Sequence, residues 1–421
     1  MSPQRSGPAE GTPAEASVLI SVLTAGVIAR AEIARKTGLS SAAVTRASQA
    51  LLSQGFLRYA DESEASCAGD DCESRMGRPI QPLVVESHHT GVIGIKLTEL
   101  EAIGVLCDLS GVVRVTGVRA LENRDVAATI ATVEGLVDEL RVQGDRLGFA
   151  EPISQVGLSL SGDVDRTTGD VRYSPFLGWR NVALGDLVAA HTGCAVVVEN
   201  DVKALAAAEQ WFGQGRGLDD FALVTIGAGI GSALVIDGAI VRGAHSVAGE
   251  IGHLPVGDPT VICRCGGRGC VEAEASTEAL LNRCRAAAGD DELTLDMAAE
   301  RARHGDSALA GVFTRAGQVI GLAIASIANL MGPSQIIVSG EGVASYDLLA
   351  DAIRQSFSEQ VFGAAVDTPI HLQPLPFEEW ARGAAAVALE EFAFPQREPV
   401  YGVSTRNGKQ PARYFADASE R

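Results

Sequence analysis

The sequence predicts an α/β protein with a small winged helical head, and three observations predict it. A run of helical texture with a local basic excess occupies residues 18–52, and two short strand patterns flank a polar loop just after it. From Gly91 onward, short apolar strands alternate with longer helical patterns. At about 150 residues per domain the 421 residues ask for two or three domains, enough to bury an ordinary core. The expected divisions are a flexible N-terminus over 1–16, a winged helix-turn-helix domain over 17–85, an α/β domain over 88–396 and a flexible tail over 397–421.

The head comes first. Val18, Leu19, Val22 and Leu23 recur at spacings of three and four, followed by Ile33 and Ala34 and then Val44, Leu51 and Leu52, so three short helices fit before Gly55. Between Val27 and Arg58 stand Arg30, Arg35, Lys36, Arg46 and Arg58 against Glu32 alone, a local +4 inside a chain of net −19. Ala34, Gly38 and Val44 fall where a helix-turn-helix needs a small residue at the helix crossing, a residue tolerant of positive φ in the turn and an apolar anchor, with Ser40 as the N-cap. A recognition helix over Ser41–Gln54 presents Ser41, Ala42, Thr45, Arg46 and Gln49 outward to a major groove. Arg35 and Lys36, at the end of the preceding helix, meet backbone phosphate. Phe56–Tyr59 and Leu83–Val85 supply the wing strands, and Arg78, between Gly77 and Pro79, suits a narrow minor groove.

The α/β region follows. Strands are expected at Val92–Ile95, Ala102–Leu106, Val112–Val118, Val156–Leu160, Ala195–Val198, Ala222–Ile226, Ala233–Ile236 and Gln335–Val338. Helices are expected at Val126–Gln143, Val202–Phe212, Ala310–Leu330 and Tyr346–Gln355.

Charge and cysteine content narrow the function. With 34 Lys and Arg against 53 Asp and Glu, the surface as a whole cannot grip a polyanion, which leaves the head as the nucleic-acid element. No window approaches the ~20 unbroken apolar residues of a bilayer span, and the first 17 residues carry no signal-peptide core, so a cytoplasmic protein without a membrane partner is expected. Eight cysteines are too few for a disulfide scaffold. Three of them, Cys263, Cys265 and Cys270, crowd into a glycine-rich segment ten residues after His253, and these four N and S donors fit a closed, structural zinc site. Cys67 and Cys72 lack further ligands and read as free thiols.

Two motifs bear on a small-molecule site. Gly227, Gly229 and Gly231, between two strands, let backbone approach a ligand closely or form a tight hairpin. Glu199-Asn200-Asp201 ends a strand and opens a helix, where an Asp can accept a proton from a bound hydroxyl or simply cap the helix. Glu250 before His253 and Glu272 after Cys270 add carboxylates of the kind that hold sugar hydroxyls.

With these residues the chain resembles the ROK family of repressors, open reading frames and sugar kinases from about Gly91 to Phe394, most specifically in Glu250-x-x-His253 and Cys270-x-Glu272. The resemblance implies an actin-like, hexokinase-like pair of α/β lobes with a sugar in the cleft. By matching motif, Asn200, Asp201, Glu250, His253 and Glu272 contact the sugar, Asp201 is the base in kinase members, and His253 with the three cysteines holds zinc. One departure stands out. Kinase members open with an Asp-x-Gly-Gly-Thr hairpin at the ATP phosphates, followed by an Asp-x-x-Gly turn. Here Asp108-Leu109-Ser110-Gly111 keeps the turn, while Lys96, Thr98 and Glu99 replace the Asp and the two glycines. Lost glycines deny close approach, and a Glu99 carboxylate about 4 Å from a phosphate adds on the order of 4 kcal/mol of repulsion at an effective dielectric of 20.

The expectation is a repressor that binds operator DNA as a homodimer or homotetramer and responds to a sugar or sugar phosphate, without catalysis. An ATP-dependent sugar kinase with a DNA-binding head is the alternative, and a sensor of a partner protein is a third possibility.

Overall fold

The computed structural model describes residues 12–66, 81–373 and 375–393. The expected tail over 397–421, Arg78, Cys67 and Cys72 lie outside them.

The head holds α1 (Pro13–Ala25), α2 (Arg30–Thr37), α3 (Ser41–Ser53), β1 (Leu57–Tyr59), a short α4 (Glu62–Ser66) and β2 (Leu83–Val85). Helix α1 starts four residues inside the segment expected to be a flexible terminus, because Thr12 accepts the Glu15 N–H as an N-cap and Pro13 suits the first turn. Gly38 takes φ 68°, the left-handed turn between α2 and α3, and Ser40 caps α3 by accepting the Ala43 N–H at 3.2 Å. Val44 is fully buried beneath α3. Strands β1 and β2 pair antiparallel, Leu57 opposite Val85, and Ile28 exchanges both backbone hydrogen bonds with Leu83 (3.0 and 2.8 Å), so the wing is tied to the α1–α2 connection.

Lobe one comprises β3 (Gly91–Leu97), β4 (Glu101–Asp108), β5 (Val113–Ala120), α5 (Val126–Leu147), β6 (Gln155–Leu160), a small antiparallel sheet of β7 (Asp163–Asp165), β8 (Asp170–Ser174) and β9 (Trp179–Val182), then α6 (Leu184–Thr192) and β10 (Ala195–Asn200). Helix α7 (Asp201–Phe212) leads to lobe two: β11 (Phe221–Ile226), β12 (Ile230–Ile236), β13 (Ala239–Ile240), α8 (Glu272–Ala275), α9 (Thr277–Ala288), α10 (Leu295–Arg303), α11 (Ser307–Met331), β14 (Ile336–Ser339), α12 (Tyr346–Gln360) and β15 (Ile370–Leu372). The chain then returns as α13 (Glu378–Ala393).

The two five-stranded sheets share one plan. Lobe one runs β10-β6-β3-β4-β5 and lobe two β13-β12-β11-β14-β15; in each, a first strand pairs antiparallel with the next one along the chain and parallel with a later one. The lobes therefore repeat a topology that the sequence does not display as a repeat. Helix α11 has a window of mean hydropathy 1.5, long and apolar enough by composition to span a bilayer, yet it lies in the core of lobe two against α12.

Helix α13 positions the cleft. It lies so close to lobe one's sheet that a Cβ on Gly94 would stand 2.1 Å from the Ala381 carbonyl and one on Gly157 would stand 1.9 Å from the Ala384 carbonyl. Only glycine permits this approach. Its far end, from Ala385 to Ala393, shares one hydrophobic core with the head, and the Phe392 ring meets Phe56 edge-on at 5.6 Å between centroids.

Candidate functional site

The cleft is built around the β10–α7 junction. Strand β10 delivers Glu199 and Asn200, and α7 starts at Asp201, so the helix N-terminus and two carboxylates come together. Asn200 is the cap: its side-chain oxygen accepts the N–H groups of Val202 (3.1 Å) and Lys203 (3.2 Å), and its amide donates to the Gly162 carbonyl (3.1 Å). One amide N–H remains for a ligand. Asn200 thus takes the capping role that the sequence also allowed Asp201.

Asp201 is 4% exposed. Its carboxylate receives a hydrogen bond from the Lys96 ammonium, another from Ser161 Oγ at 2.5 Å, and the Val202 N–H at 3.0 Å. Burial alone pushes this carboxyl up, but the Lys96 charge and these hydrogen bonds hold it below the ordinary Asp value. Lys96 is itself 7% exposed and rests over the Trp380 ring of α13 at 5.1 Å. The residue standing for the kinase phosphate-hairpin Asp is therefore an ammonium spent on the residue standing for the kinase base.

The rest of the hairpin closes on itself. Thr98 Oγ1 accepts the N–H groups of Leu100 and Glu101 and donates to the Glu101 carbonyl, a tight turn between β3 and β4. The Glu99 carboxylate pairs with Arg124. This corrects the expected repulsion: Glu99 is a neutralised pair on the turn, not a lone charge awaiting phosphate.

The glycine loop is a hairpin between β11 and β12 in which Gly227 N–H donates to the Gly229 carbonyl at 3.1 Å. Two more of its amides have carboxylate acceptors, since the Ala228 N–H donates to Glu341 at 2.7 Å and the Ile230 N–H to Glu272 at 3.3 Å. The loop thus presents carboxylates where a phosphate cradle presents free N–H groups.

Glu250, His253 and Glu272 come from the segment after β13 and the start of α8, and their charges act on one another and on Asp201 and Lys203. The protein shell around Glu250 raises its carboxyl above the usual range; Asp201 and Glu272 add to the rise, and Lys203 and His253 oppose it. Asp201, His253 and Glu272 are therefore close enough to Glu250 for their charges to act on it, and Asn200 adjoins Asp201 at the head of α7. Ser161, Trp380 and Lys203 were not anticipated; Ser161-Gly162 at a strand end was the available signal for the first.

His253, Cys263, Cys265 and Cys270 place one donor atom each within 4.8 Å of all the others. Cys265 and Cys270 sulfurs stand 3.8 Å apart, matching the ~3.8 Å edge of a tetrahedron with ~2.3 Å metal–sulfur bonds. Burial and the two neighbouring thiols push Cys270 up to about 12, a rise that a divalent cation reverses by stabilising thiolate. The cluster can hold a metal ion. Cys263 Sγ faces His253 Nδ1 at 3.8 Å, which leaves Nε2 of the exposed imidazole for another partner.

In the head, Ser41, Thr45, Arg46 and Gln49 are exposed on one face of α3. Arg35 and Lys36 are also exposed and lie 3.7 and 3.6 Å from Glu32, which tempers the basic patch.

The profile of the ROK family matches residues 105–391. The chain is similar to a glucokinase of Thermotoga maritima, 31% identical over 255 residues that span 57% of this chain and 80% of the glucokinase. It is also similar to the xylose repressor of Caldicellulosiruptor bescii, 24% identical over 395 residues that span 90% of this chain and 96% of the repressor. Among solved structures, a ROK family transcriptional regulator, a homolog of the E. coli MLC protein, shares the fold with a TM-score of 0.74 at 24% identity, covering 90% of this chain and 96% of its own.

Proposed function

The chain belongs to the ROK family, and from that premise we propose that it is a cytoplasmic transcriptional repressor whose operator affinity changes when a sugar or sugar phosphate occupies the cleft. The xylose repressor aligns through the head as well as the lobes, whereas the glucokinase alignment spans little more than half the chain. The head supplies base-reading candidates at Ser41, Thr45, Arg46 and Gln49 and phosphate contacts at Arg35 and Lys36. Arg78, outside the described residues, is assigned to the minor groove on its sequence position alone.

The observation that carries this reading over the kinase one is the Lys96–Asp201 pair. A catalytic base must be free to accept a proton from the attacking hydroxyl, and phosphoryl transfer draws its rate from positioning and neutralising phosphate. Here the residue at the base position is engaged by an ammonium that lowers its proton affinity, and two of the loop amides are occupied by Glu272 and Glu341. Asp201 then serves as a hydroxyl acceptor beside Asn200, Glu250 and Glu272, and His253 offers Nε2 to the sugar. His253 Nδ1 and the three cysteines would hold zinc, a closed N/S set whose role is to fix the shape of that wall.

Helix α13 connects the cleft to DNA. Trp380, near its start, supports Lys96; Phe392, near its end, packs on Phe56 of the head. In a dimer or tetramer, a change in how the lobes hold α13 alters the relative placement of the DNA heads. A ligand shifts that balance only by its differential affinity for the two arrangements.

The test is calorimetric titration of the full chain with D-glucose, D-xylose, N-acetyl-D-glucosamine and the two 6-phosphates, together with binding to duplexes selected from a random pool. One sugar should bind and shift operator affinity. Operator binding that no sugar alters would overturn the proposal.

A further inference from the structure

A second cluster of charges joins the lobes and abuts the sugar residues, since the Glu199 carboxylate accepts the Asn200 N–H at 2.9 Å. Glu199 is 1% exposed and belongs to lobe one; Arg166 lies in the β7–β8 turn of the same lobe, Arg242 follows β13 in lobe two, and Glu390 lies on α13 two residues before Phe392. Glu391 adds a third carboxylate 3.7 Å from Arg166 Nη2; with Glu199 and Glu390 the two guanidiniums allow four pairings. Two are short: Arg242 Nε to Glu199 at 2.9 Å and Arg166 Nη2 to Glu390 at 3.3 Å. The crossed pairings, Arg166 Nε to Glu199 and Arg242 Nη2 to Glu390, are both 3.9 Å. Arg242 Nη2 and Arg166 Nη1 are buried without a hydrogen-bond acceptor.

Buried unsatisfied guanidinium nitrogens mark an arrangement that leaves donors for a second one. A movement of about 1 Å brings Arg242 Nη2, now 3.9 Å away, within hydrogen-bond reach of Glu390, and one that also turns Nε from Glu199 exchanges the partners. Such discrete repacking is how small shifts become two-state changes. The cluster also sits on the route to both sites. Arg242 opens the segment that ends at Glu250, and Arg172 of β8 holds that segment to lobe one through the His245 carbonyl at 3.1 Å.

We propose that Arg166, Glu199, Arg242 and Glu390 form a partner-exchange latch through which the position of lobe two is transmitted to the end of α13 packed against the DNA head. This rests on the repressor reading and assigns it a regulatory device.

The experiment uses the full chain and the variants Glu390→Gln, Arg242→Gln, Arg242→Lys and the double Gln variant, without any sugar. Amide hydrogen exchange is followed in residues 241–250, 386–392 and 56–59, and operator affinity is measured on duplexes selected with the wild type. Each Gln variant should alter protection in both 241–250 and 56–59 and change operator affinity at least about threefold. The double variant should do no more than the stronger single one, and Arg242→Lys should restore part of the effect. Altered exchange confined to the replaced residue's own segment, with operator affinity unchanged, overturns the latch. Loss of protection throughout the chain in every variant also overturns it, since the cluster is then only structural. Failure of the wild type to bind any duplex would refute the repressor reading, while the exchange pattern would still decide the latch.

Discussion

The Lys96 ammonium is hydrogen-bonded to the Asp201 carboxylate in the cleft, across 105 positions of sequence, with both side chains almost wholly buried. Neither residue is there for a surface ion pair of negligible worth. A buried pair is costly to assemble, and removing one partner strands the other's charge. The pair ties the departure in the phosphate hairpin to the surviving base position, so that one substitution accounts for both.

Phosphoryl transfer is the first consequence to test. With magnesium ATP and a sugar panel, ADP release should stay at background and be equal in wild type and Asp201→Asn. Sugar-dependent turnover near about one per second that disappears in Asp201→Asn would restore the kinase reading, since typical kinase rates begin in that range.

Acid stability follows from the same pair. Because the folded Asp201 carboxyl lies below its ordinary value, its contribution is fully present above about pH 4 and is lost as pH falls through the depressed value. Asp201→Asn should therefore cost about 3–5 kcal/mol at pH 7, where it strands a buried ammonium. The gap to wild type should narrow in melts run progressively below pH 4. A constant gap down to pH 2.5 would show that the ion pair is not its source.

Much of this architecture was legible in the chain. The eight strands and four helices expected after Gly91 all correspond to observed elements, because each carries a period of two, an unbroken apolar run or a 3.6-residue face. Helix α13 escaped because its middle, Gly383–Leu389, is wholly apolar and buried while its charged residues lie toward its ends, so no polar face sets a period. The small sheet β7–β9 escaped because its strands are three to five residues long and only partly buried. In the cleft, residue types and spacings pointed to Asp201, Glu250 and His253, but local pattern holds no information about which distant side chain will reach them. Lys96 could be read as a lost Asp, not as a gained partner, and Glu99 as a free charge because Arg124 lies 25 positions away.

The cysteine cluster predicts one zinc per chain. Metal analysis of protein purified without chelator should find it, and Cys265→Ser should lose metal and sugar affinity together while α1–α3 still bind DNA. Protein free of zinc under those conditions would refute the assignment, since a closed set of four N and S donors binds zinc tightly at neutral pH.

The recognition helix separates two kinds of contact. Arg46→Ala should relax base preference at one position at a cost of about 1–3 kcal/mol, whereas Lys36→Ala should weaken all sequences alike and lower the salt slope by about one. Lys36 gives up its 3.6 Å pairing with Glu32 to reach phosphate, so its effect should be smaller than that of an unpaired lysine, and largest at low salt. Equal loss of specific and non-specific affinity in Arg46→Ala, at fixed salt, would place that side chain on the backbone instead.

The Phe56–Phe392 contact decides whether the head responds to the cleft. Both rings belong to the core shared by the head and α13, where truncation to alanine would open a cavity costing about 3–5 kcal/mol and confuse coupling with unfolding. Phe392→Leu keeps most of the volume and removes the edge-on ring contact. Sugar affinity should stay within about twofold of wild type, since Phe392 lies at the opposite end of α13 from Trp380 and Lys96. Operator affinity without sugar should change little, while the sugar-dependent change in it should shrink severalfold, a loss of coupling of roughly 0.5–2 kcal/mol. A wild-type response to sugar in Phe392→Leu, with the variant folded and the sugar bound, would show that the signal leaves the lobes by another route, the nearest being Arg216, whose guanidinium donates to the Thr24 carbonyl at the end of α1.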